Sequence, residues 1–376
     1  MAEVKSERNE IIDILKGLGI IFMVAGHAAF PLTDFVYLFH MAIFFIASGY
    51  CYSSKKTNSG SNLFLYVKRK FKSLWVPYVL WTVIYTVLHN FLLKINVYTD
   101  NPLILEMVQG TYIHVESPWT LKGEAVNIIK SLFLHGQTEM GGAFWFIATL
   151  MEISLFYGIM DFIFQKIFSE KYLLIVQGIF AILLLMLGWG LALIGRSLWG
   201  ADKVFSYYSL FYLGYLIKTF NLPNKLGDAY IKHAISLCGS VIVLVLCSLF
   251  GTVSLSANSY GNPFYLLIAS LSGWQLTYEL SWLIEKNKWT KQILTVIGRN
   301  TLSIVILHFL SFKLVSLVGV LITGKPICLI AAFPILFRGA FWWIPYTLVG
   351  VGVPVALNIV YKKSINQISL FVKRRG

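Results

Sequence analysis

Apolar runs of about 20 residues recur along this chain, and each is long enough to cross the hydrocarbon core of a bilayer. Of the 376 residues, 57% are hydrophobic and only 13% are charged, whereas a soluble domain has about 25% charged residues. The sequence therefore predicts an all-α polytopic membrane protein with a single membrane domain over residues 1–376. We expect ten spans, at about residues 10–28, 34–53, 74–94, 143–164, 171–195, 204–220, 231–251, 263–284, 299–322 and 340–361.

The segments between these spans complete the predicted organisation. Residues 95–142 form the one long connection, and connections of this length are usually functional or mobile. Within it, residues 124–134 have the pattern of an amphipathic helix that lies on a surface. Residues 327–337 are apolar but too short to cross a bilayer, so we expect them to be re-entrant or interfacial. A basic tail is predicted at 362–376.

The basic residues predict how the chain is oriented. Ten spans place both termini on one side, and lysines and arginines concentrate in cytoplasmic loops. Most of them fall on the side of the termini, so we expect cytoplasmic termini, an extracytoplasmic connection at 95–142 and a multi-pass protein of the cell membrane. Few basic residues are predicted on the outer side: Lys94, Lys122, Lys130, Arg196, Lys203, Lys325 and Arg338.

The net charge of +14 does not indicate nucleic-acid binding, because the basic residues cluster between spans, as membrane topology requires. The cysteines Cys51, Cys238, Cys247 and Cys328 have no metal-ligand spacing. Walker, zinc and dinucleotide motifs are absent from the sequence. We therefore expect a lipid bilayer around the protein, and neither a nucleic acid nor a metal as its partner.

The first span, 10–28, carries ionisable residues in an apolar run. Such groups cost about 3 kcal/mol each in lipid and usually face a protein interior or a water-filled cavity. Lys16 and His27 are eleven positions apart, so on a helix they share a face about 16 Å apart, with Asp13 on the same side. A cation and a base so aligned suit a long ligand with an anionic head and a reactive tip. The alternative is that Lys16 snorkels to one interface and His27 caps the other.

His27 is the leading catalytic candidate. An apolar setting disfavours the charged imidazole, so His27 stays neutral and can accept a proton from a hydroxyl. The alternative is a hydrogen-bonded structural histidine. Glu152 and Glu279 lie inside predicted spans, and a buried carboxylate usually has a partner. Either can orient His27 or hold an acceptor, and Lys313 or a histidine is a possible partner for each. We include Glu152 and Asp13 with His27 in the candidate catalytic group.

Arg69 and Lys72 lie three positions apart just before the third span and would face the same way on a helix. With Arg8 and Lys16 they can form a phosphate-binding mouth, although membrane topology alone also explains this basic stretch. In the same way, Trp119 and Trp145 can stack on a sugar ring, whereas most aromatic residues here belong to interface belts and helix packing. His40 and His308 lie inside predicted spans, where a structural role is favoured over a catalytic one for each.

Several stretches resemble the membrane-bound acyltransferase 3 family. RNEIIDILKGLGIIFMVAGH resembles its first span, with a basic residue, ten intervening positions and a histidine, and Lys16 and His27 have that spacing. FHMAIFFIASGY resembles the second span, although Ala42 replaces a common proline. KRKFKSLWVPY resembles the basic stretch that follows, with Lys72 where an arginine is common. GAFWF and GRNTLSIVILHF resemble two later elements, and the match extends over nearly the whole chain.

This resemblance implies a ten-helix enzyme that transfers acyl groups from cytoplasmic acyl-CoA to a hydroxyl, usually of a surface carbohydrate. The closest similarity is to the sugar O-acetylase-like branch, so the expected donor is acetyl-CoA. It implies that the histidine at position 27 is essential and that the basic residues bind the donor. Candidate acceptor-binding residues are Trp145, Glu279, Asn300 and His308.

Two other functions stay open from the sequence. A transporter or flippase for a sugar or lipid-linked glycan would use the intramembrane Glu152, Glu279 and Lys313 equally well. A glycan polymerase or ligase is less compatible, because only one long outer loop is predicted. Whether the protein is a monomer or a homo-oligomer also stays open. The acyl group can pass directly to the acceptor or through an acyl-histidine intermediate, and the sequence does not distinguish these routes.

Overall fold

The computed structural model describes residues 9–104, 115–227, 229–339 and 341–375, and Arg8 lies outside them. Regular structure in these ranges is helical, and strands are absent from them. Short 3₁₀ helices lie at Ser54–Lys56, Pro223–Leu226 and Ile327–Ala331, and a π-helical turn lies at Phe71–Trp75. The α-helices are α1 Glu10–His27, α2 Thr33–Tyr37, α3 Ala42–Tyr50, α4 Gly60–Lys70, α5 Val76–Val87, α6 His89–Lys94, α7 Leu121–Leu132, α8 Phe144–Ile167, α9 Glu170–Leu193, α10 Ala201–Thr219, α11 Tyr230–Phe250, α12 Pro263–Glu285, α13 Lys288–Gly298, α14 Thr301–Thr323 and α15 Trp343–Arg375.

Six segments within the described ranges are long and apolar enough to cross a membrane: Thr33–Tyr50, Phe144–Ile167, Glu170–Leu193, Tyr230–Phe250, Thr301–Thr323 and Trp343–Ile365. The predicted all-α, polytopic membrane class is therefore confirmed, whereas the number ten stays a prediction. The spans predicted at 34–53 and 74–94 each consist of two helices, because residues 38–41 separate α2 from α3 and Leu88 separates α5 from α6.

One of the two unusual segments predicted between the spans is an α-helix, and the other is helical only at its start. The surface helix expected at 124–134 is α7, which packs on α5, where the Asn127 amide donates to Thr86 Oγ1 at 2.8 Å. The short apolar segment expected at 327–337 begins with a single 3₁₀ helix, too short to cross. Lys313 Nζ anchors this 3₁₀ helix by donating to the carbonyls of Ile330, Ala331 and Ala332 at 3.2, 3.0 and 2.9 Å.

Helix α1 is packed from several sides, by α2, α3, α12, α13, α14 and α15. It crosses α13 at backbone contact distance, since a Cβ atom at Gly17 would collide with the Leu294 carbonyl and one at Gly298 with the Asp13 carbonyl. Small residues allow such close approach between helices in a membrane. Two ion pairs, Arg299 with Asp13 and Lys291 with Glu10, join the same two helices. The position of α1 is therefore set by backbone packing and by charge.

We predict that Gly298→Ala destabilises the protein, because its methyl group must separate α1 from α13. Overpacking of this kind costs about 1–3 kcal/mol. Gly239→Ala is the matched control, since Gly239 is also helical but has open space where its Cβ atom would lie. The thermal unfolding midpoint in one detergent should fall for Gly298→Ala and stay equal or rise slightly for Gly239→Ala. Equal midpoints for the two variants would show that the crossing tolerates a side chain.

Candidate functional site

His27 lies at the last position of α1, in a group of aromatic side chains. Its ring stacks on the ring of His308 from α14, with centroids 5.4 Å apart and planes at 27°, and lies 5.0 Å from the ring of Phe309. The turn after α1 brings Tyr37 of α2 back to this point, and the Tyr37 hydroxyl lies 3.4 Å from His27 Nδ1. His27 remains partly exposed. The structure thus places the imidazole of His308 and the phenol of Tyr37 around the partly exposed imidazole of His27, at the C-terminal end of α1.

The hydrogen bonds of His308 define its tautomer. Its Nδ1 lies 2.9 and 3.1 Å from the carbonyl oxygens of Ile304 and Val305. Carbonyl oxygens only accept, so Nδ1 carries the proton and Nε2 carries the lone pair. Nε2 is buried and has no hydrogen-bond partner among the described residues. A bare acceptor nitrogen therefore lies next to His27, ready for a hydroxyl that reaches this group.

The other end of α1 opens into a cavity of about 550 Å³, which we call the basic cavity. Lys16 lies in its wall, eleven residues before His27 and therefore about 16 Å away along α1. Carboxylates are absent from the described lining residues. The wall is formed by Lys16, Ser48, Cys51, Tyr52, Lys55, Lys56, Asn62, Leu65, Tyr66, Arg69, Lys70 and Ser73. Five cationic side chains around one cavity make a site for a polyanion.

Lys70 is affected by its position in this cavity. The pKa of Lys70 is lowered to about 8, mainly by burial and to a smaller extent by the neighbouring charges of Lys56 and Lys16. Cys51 has the opposite effect. An anion bound in the cavity would offset both causes, since it favours the charged ammonium.

A buried carboxylate, Asp161 of α8, holds one wall of the basic cavity. It accepts hydrogen bonds from Tyr52 Oη at 2.5 Å, Thr57 Oγ1 at 2.7 Å, Gln165 Nε2 at 2.8 Å and Gln177 Nε2 at 2.6 Å. These bonds satisfy the charge and fix the segment between Tyr52 and Thr57. That segment carries Lys55 and Lys56. Sequence reasoning missed Asp161, although a carboxylate inside an apolar run was the available signal.

The structure divides the predicted phosphate-binding set. Arg69 and Lys16 line the basic cavity, whereas Lys72 is exposed and lies outside its lining. A π-helical turn at Phe71–Trp75 follows α4 directly, so an α-helical count from Arg69 does not give the position of Lys72. Lys70 lines the cavity as well.

The structure separates several predicted site residues from His27. Asp13 accepts from Arg299 Nε at 2.9 Å, fourteen residues before His27 on the same helix, so it cannot contact the His27 ring. Glu279 accepts a 2.6 Å bond from Gln275 and lies 2.5 Å from His233 Nδ1. The predicted pairing of Glu279 with a histidine is thus seen, but the structure does not bring Glu279 to His27.

Asn300 also lies apart from the predicted acceptor residues. Its amide donates to the Val296 carbonyl at 2.7 Å, and its oxygen accepts from Asn358 at 2.5 Å and from Lys362 at 3.4 Å. These contacts hold it at the start of α14, beside Arg299. Its side chain joins α14 to α15 there, so it is not brought together with Trp145.

Trp145 and Glu152 both line a second cavity, of about 660 Å³, at the start of α8. Lys203 of α10 lies over the Trp145 ring, 5.6 Å from its centroid. Glu139, in the loop before α8, lines the same cavity and lies 3.9 Å from Lys313 Nζ. The structure therefore groups Glu152 with Trp145 rather than with His27, and it gives Lys313 a partner, Glu139, that the sequence did not indicate.

These features define an integral-membrane protein in which the N-terminal half of α1 borders a cavity with five cationic side chains and the C-terminal end of α1 carries a histidine group. A family model described as an acyltransferase domain, Acyl_transf_3, matches residues 9–363. The chain thus belongs to the acyltransferase 3 family, which confirms the resemblance found in the sequence. A search of curated proteins and a search of solved structures each found no match.

Proposed function

We propose that this protein is an O-acyltransferase of the sugar O-acetylase-like branch, which transfers an acetyl group from cytoplasmic acetyl-CoA to a hydroxyl of a surface or exported carbohydrate. One observation carries the proposal: the basic cavity at Lys16 and the histidine group at His27 lie on one helix, about 16 Å apart along its axis. Acyl-CoA has a polyanionic head and a thioester at the end of a long arm. The spacing of about 16 Å fits such a donor better than a compact solute.

In the proposed reaction, Lys16, Arg69 and Lys70 bind the phosphates of the donor, and its arm runs along α1 towards His27. When His27 Nδ1–H donates to the Tyr37 oxygen, Nε2 carries the lone pair. Nε2 then takes the proton of the acceptor hydroxyl as its oxygen attacks the thioester carbonyl. The carbon–sulfur bond breaks, and the imidazolium returns the proton to the leaving thiolate. The bare Nε2 of His308 can hold the hydroxyl during the approach.

We also propose a topology with ten spans and cytoplasmic termini. The basic cavity supports it, because acyl-CoA is a cytoplasmic metabolite and this cavity lies at the end of α1 nearer the N-terminus. Charge distribution supports it too, since the loops expected outside contain few lysines and arginines.

We predict that Lys16→Ala and Lys70→Ala each weaken CoA binding about 10- to 150-fold, because a hydrogen bond to a charged group contributes about 1.5–3 kcal/mol. Lys72→Ala is the matched control, being a neighbouring lysine outside the cavity. Isothermal titration of the purified protein with CoA measures all three variants. Absence of CoA binding to folded wild-type protein would overturn the acyltransferase proposal and favour a transporter.

The same titration should depend on pH. With a pKa of about 8, Lys70 of the free protein is charged below this pH and neutral above it, so CoA affinity should fall between pH 7 and pH 9. Lys70→Arg should remove most of this fall, since a guanidinium stays charged throughout. If the arginine variant shows the same decline as the wild type, Lys70 is not the titrating group.

We predict that His27→Ala lowers acetyl transfer by 10²- to 10⁴-fold, which is the usual effect of removing a general base. Its CoA affinity should stay close to that of the wild type, because the basic cavity is about 16 Å away. Transfer of radiolabelled acetyl groups to a glycan extract measures the rate. More than about a tenth of wild-type activity in a folded variant would contradict the assignment of His27 as the base.

For the topology, we predict that a cysteine placed by Lys122→Cys reacts with an impermeant maleimide in intact cells, whereas one placed by Thr290→Cys does not. Both positions are at a surface, so burial does not explain a difference. The native cysteines are replaced first, because Cys51 and Cys238 are exposed. Labelling at position 290 alone, or equally at both, would contradict the proposed orientation.

A further inference from the structure

Glu139 has a buried carboxylate that no described donor satisfies. Its side chain is 2% exposed, and both carboxylate oxygens lack a hydrogen-bond partner among the described residues. The nearest cation, Lys313 Nζ, lies 3.9 Å away, beyond hydrogen-bond distance. Lys313 directs its donors instead to three carbonyls of the segment Ile330–Ala332. The carboxylate therefore keeps acceptor capacity for another molecule.

A buried carboxylate without hydrogen bonds is energetically unfavourable, so its position in a cavity wall indicates that a ligand in the cavity completes its hydrogen bonds. The cavity of about 660 Å³ is large enough for a ligand, and Glu139 lines it together with Glu152, Gln137 and Thr138. These side chains offer mainly acceptors and short polar groups. A ligand that supplies several hydroxyl donors would complete the hydrogen bonds of Glu139.

Flat aromatic surfaces form the other part of the wall. Trp119 is held rigidly: its amide N–H donates to Asn90 Oδ1 and its carbonyl accepts from Asn90 Nδ2, both at 2.8 Å, and its ring stacks on His89 with centroids 4.4 Å apart. Trp145 and Trp199 line the cavity as well. Aromatic rings present apolar faces, and a pyranose ring has an apolar face of matching size. Tryptophans beside carboxylates and amides thus suit a sugar.

The cavity continues into a neighbouring one of about 940 Å³. The two share Trp119, His135, Gln137 and Trp199 as lining residues, so we call them together the outer groove. An extended groove fits a chain of sugar units better than a single one. Most of its residues come from the connection before α8, and the others come from α5, α6, α8, the loop between α9 and α10, the start of α10 and Phe333.

The inner end of the outer groove lies close to the histidine group. Phe333 lines the groove, and its ring lies 4.6 Å from that of Phe309, which in turn lies 5.0 Å from the His27 ring. Gly142, also in the lining, packs so closely on Phe309 and Phe333 that a Cβ atom would touch both rings. Two aromatic side chains therefore separate a groove suited to sugars from the proposed base.

We propose that the outer groove binds the acceptor as a carbohydrate chain and that Glu139 accepts hydrogen bonds from the hydroxyls of the sugar unit at the inner end. This inference rests on the proposed function and assigns the acceptor site to it. Glu139 positions the acceptor, and the Phe309 and Phe333 side chains must rotate before the reacting hydroxyl reaches His27 and gives it its proton. The connection at 115–142 is then the part of the chain that recognises the glycan.

Glu139→Gln tests this inference, because it keeps the shape of the side chain and removes its charge. Purified wild-type and variant proteins in nanodiscs are titrated with oligosaccharides of glucose and of N-acetylglucosamine and with a glycan extract of the expressing cells. Tryptophan fluorescence reports binding, since three tryptophans line the groove. We expect the glycan concentration at half-saturation to rise about 10- to 100-fold in the variant, with the acetyl-CoA constant unchanged.

Glu170→Gln is the matched control, since Glu170 is an exposed carboxylate at the start of α9, outside the groove. It should bind both ligands as the wild type does. Trp145→Leu serves as a second variant if Glu139→Gln does not fold, and it should weaken glycan binding without changing CoA binding. If either variant unfolds at a lower temperature but binds the glycan with unchanged affinity, the substituted residue has a structural role, and the proposal is overturned.

The outcomes for the two proposals can be told apart. If glycan binding depends on Glu139 but the protein does not bind acetyl-CoA, the proposal that the groove binds a glycan is supported and the acyltransferase function is rejected. Normal acetyl transfer with an unchanged acceptor constant in Glu139→Gln would keep the function and reject the groove. If no glycan changes the tryptophan fluorescence of the wild-type protein or accepts radiolabelled acetyl groups from it, the proposed glycan site in the groove is also rejected.

Discussion

The crossing of α1 and α13 is the contact on which the proposed site depends. Gly17 and Gly298 bring the two backbones together, and the ion pair between Asp13 and Arg299 holds the crossing at its charged end. A lipid environment provides little hydrophobic force between helices, so close packing and buried polar contacts must hold them. Because Lys16 and His27 both belong to α1, this crossing positions the basic cavity and the histidine group together.

The ionisable residues in the apolar part of the molecule fall into two groups. Asp13, Asp161 and Glu279 have close donors that neutralise or satisfy them, and each of them joins neighbouring helices or segments. Glu139 and the cations of the basic cavity lie instead in cavity walls, where a ligand can complete their contacts. Since an unsatisfied buried charge is costly, this difference supports the ligand-binding roles that we propose for the second group.

Local patterns predicted the helices well and their partners poorly. The amphipathic helix α7 was expected from the pattern at 124–134, and the short segment before α15 was correctly excluded as a span. An α-helical count put Lys72 on the same face as Arg69, but the π-helical turn at Phe71–Trp75 does not keep that register, and Lys72 lies outside the lining of the basic cavity. Glu279 and Asn300 were taken as site candidates because their partners, His233 and Asn358, come from distant parts of the chain.

By itself the sequence determined the membrane class, the family and the alignment of Lys16 with His27, because hydrophobicity and helical periodicity depend only on neighbouring residues. It indicated most of the long apolar helices but not α4 or α13, which are short and lie between the predicted spans. Tertiary structure alone decided which charges are paired. It placed His308 against His27, Lys70 in the basic cavity and Glu139 beside Lys313 in the outer groove. Those contacts join residues up to 281 positions apart in the numbering, as with His27 and His308, and only the packing of helices against one another brings such residues together.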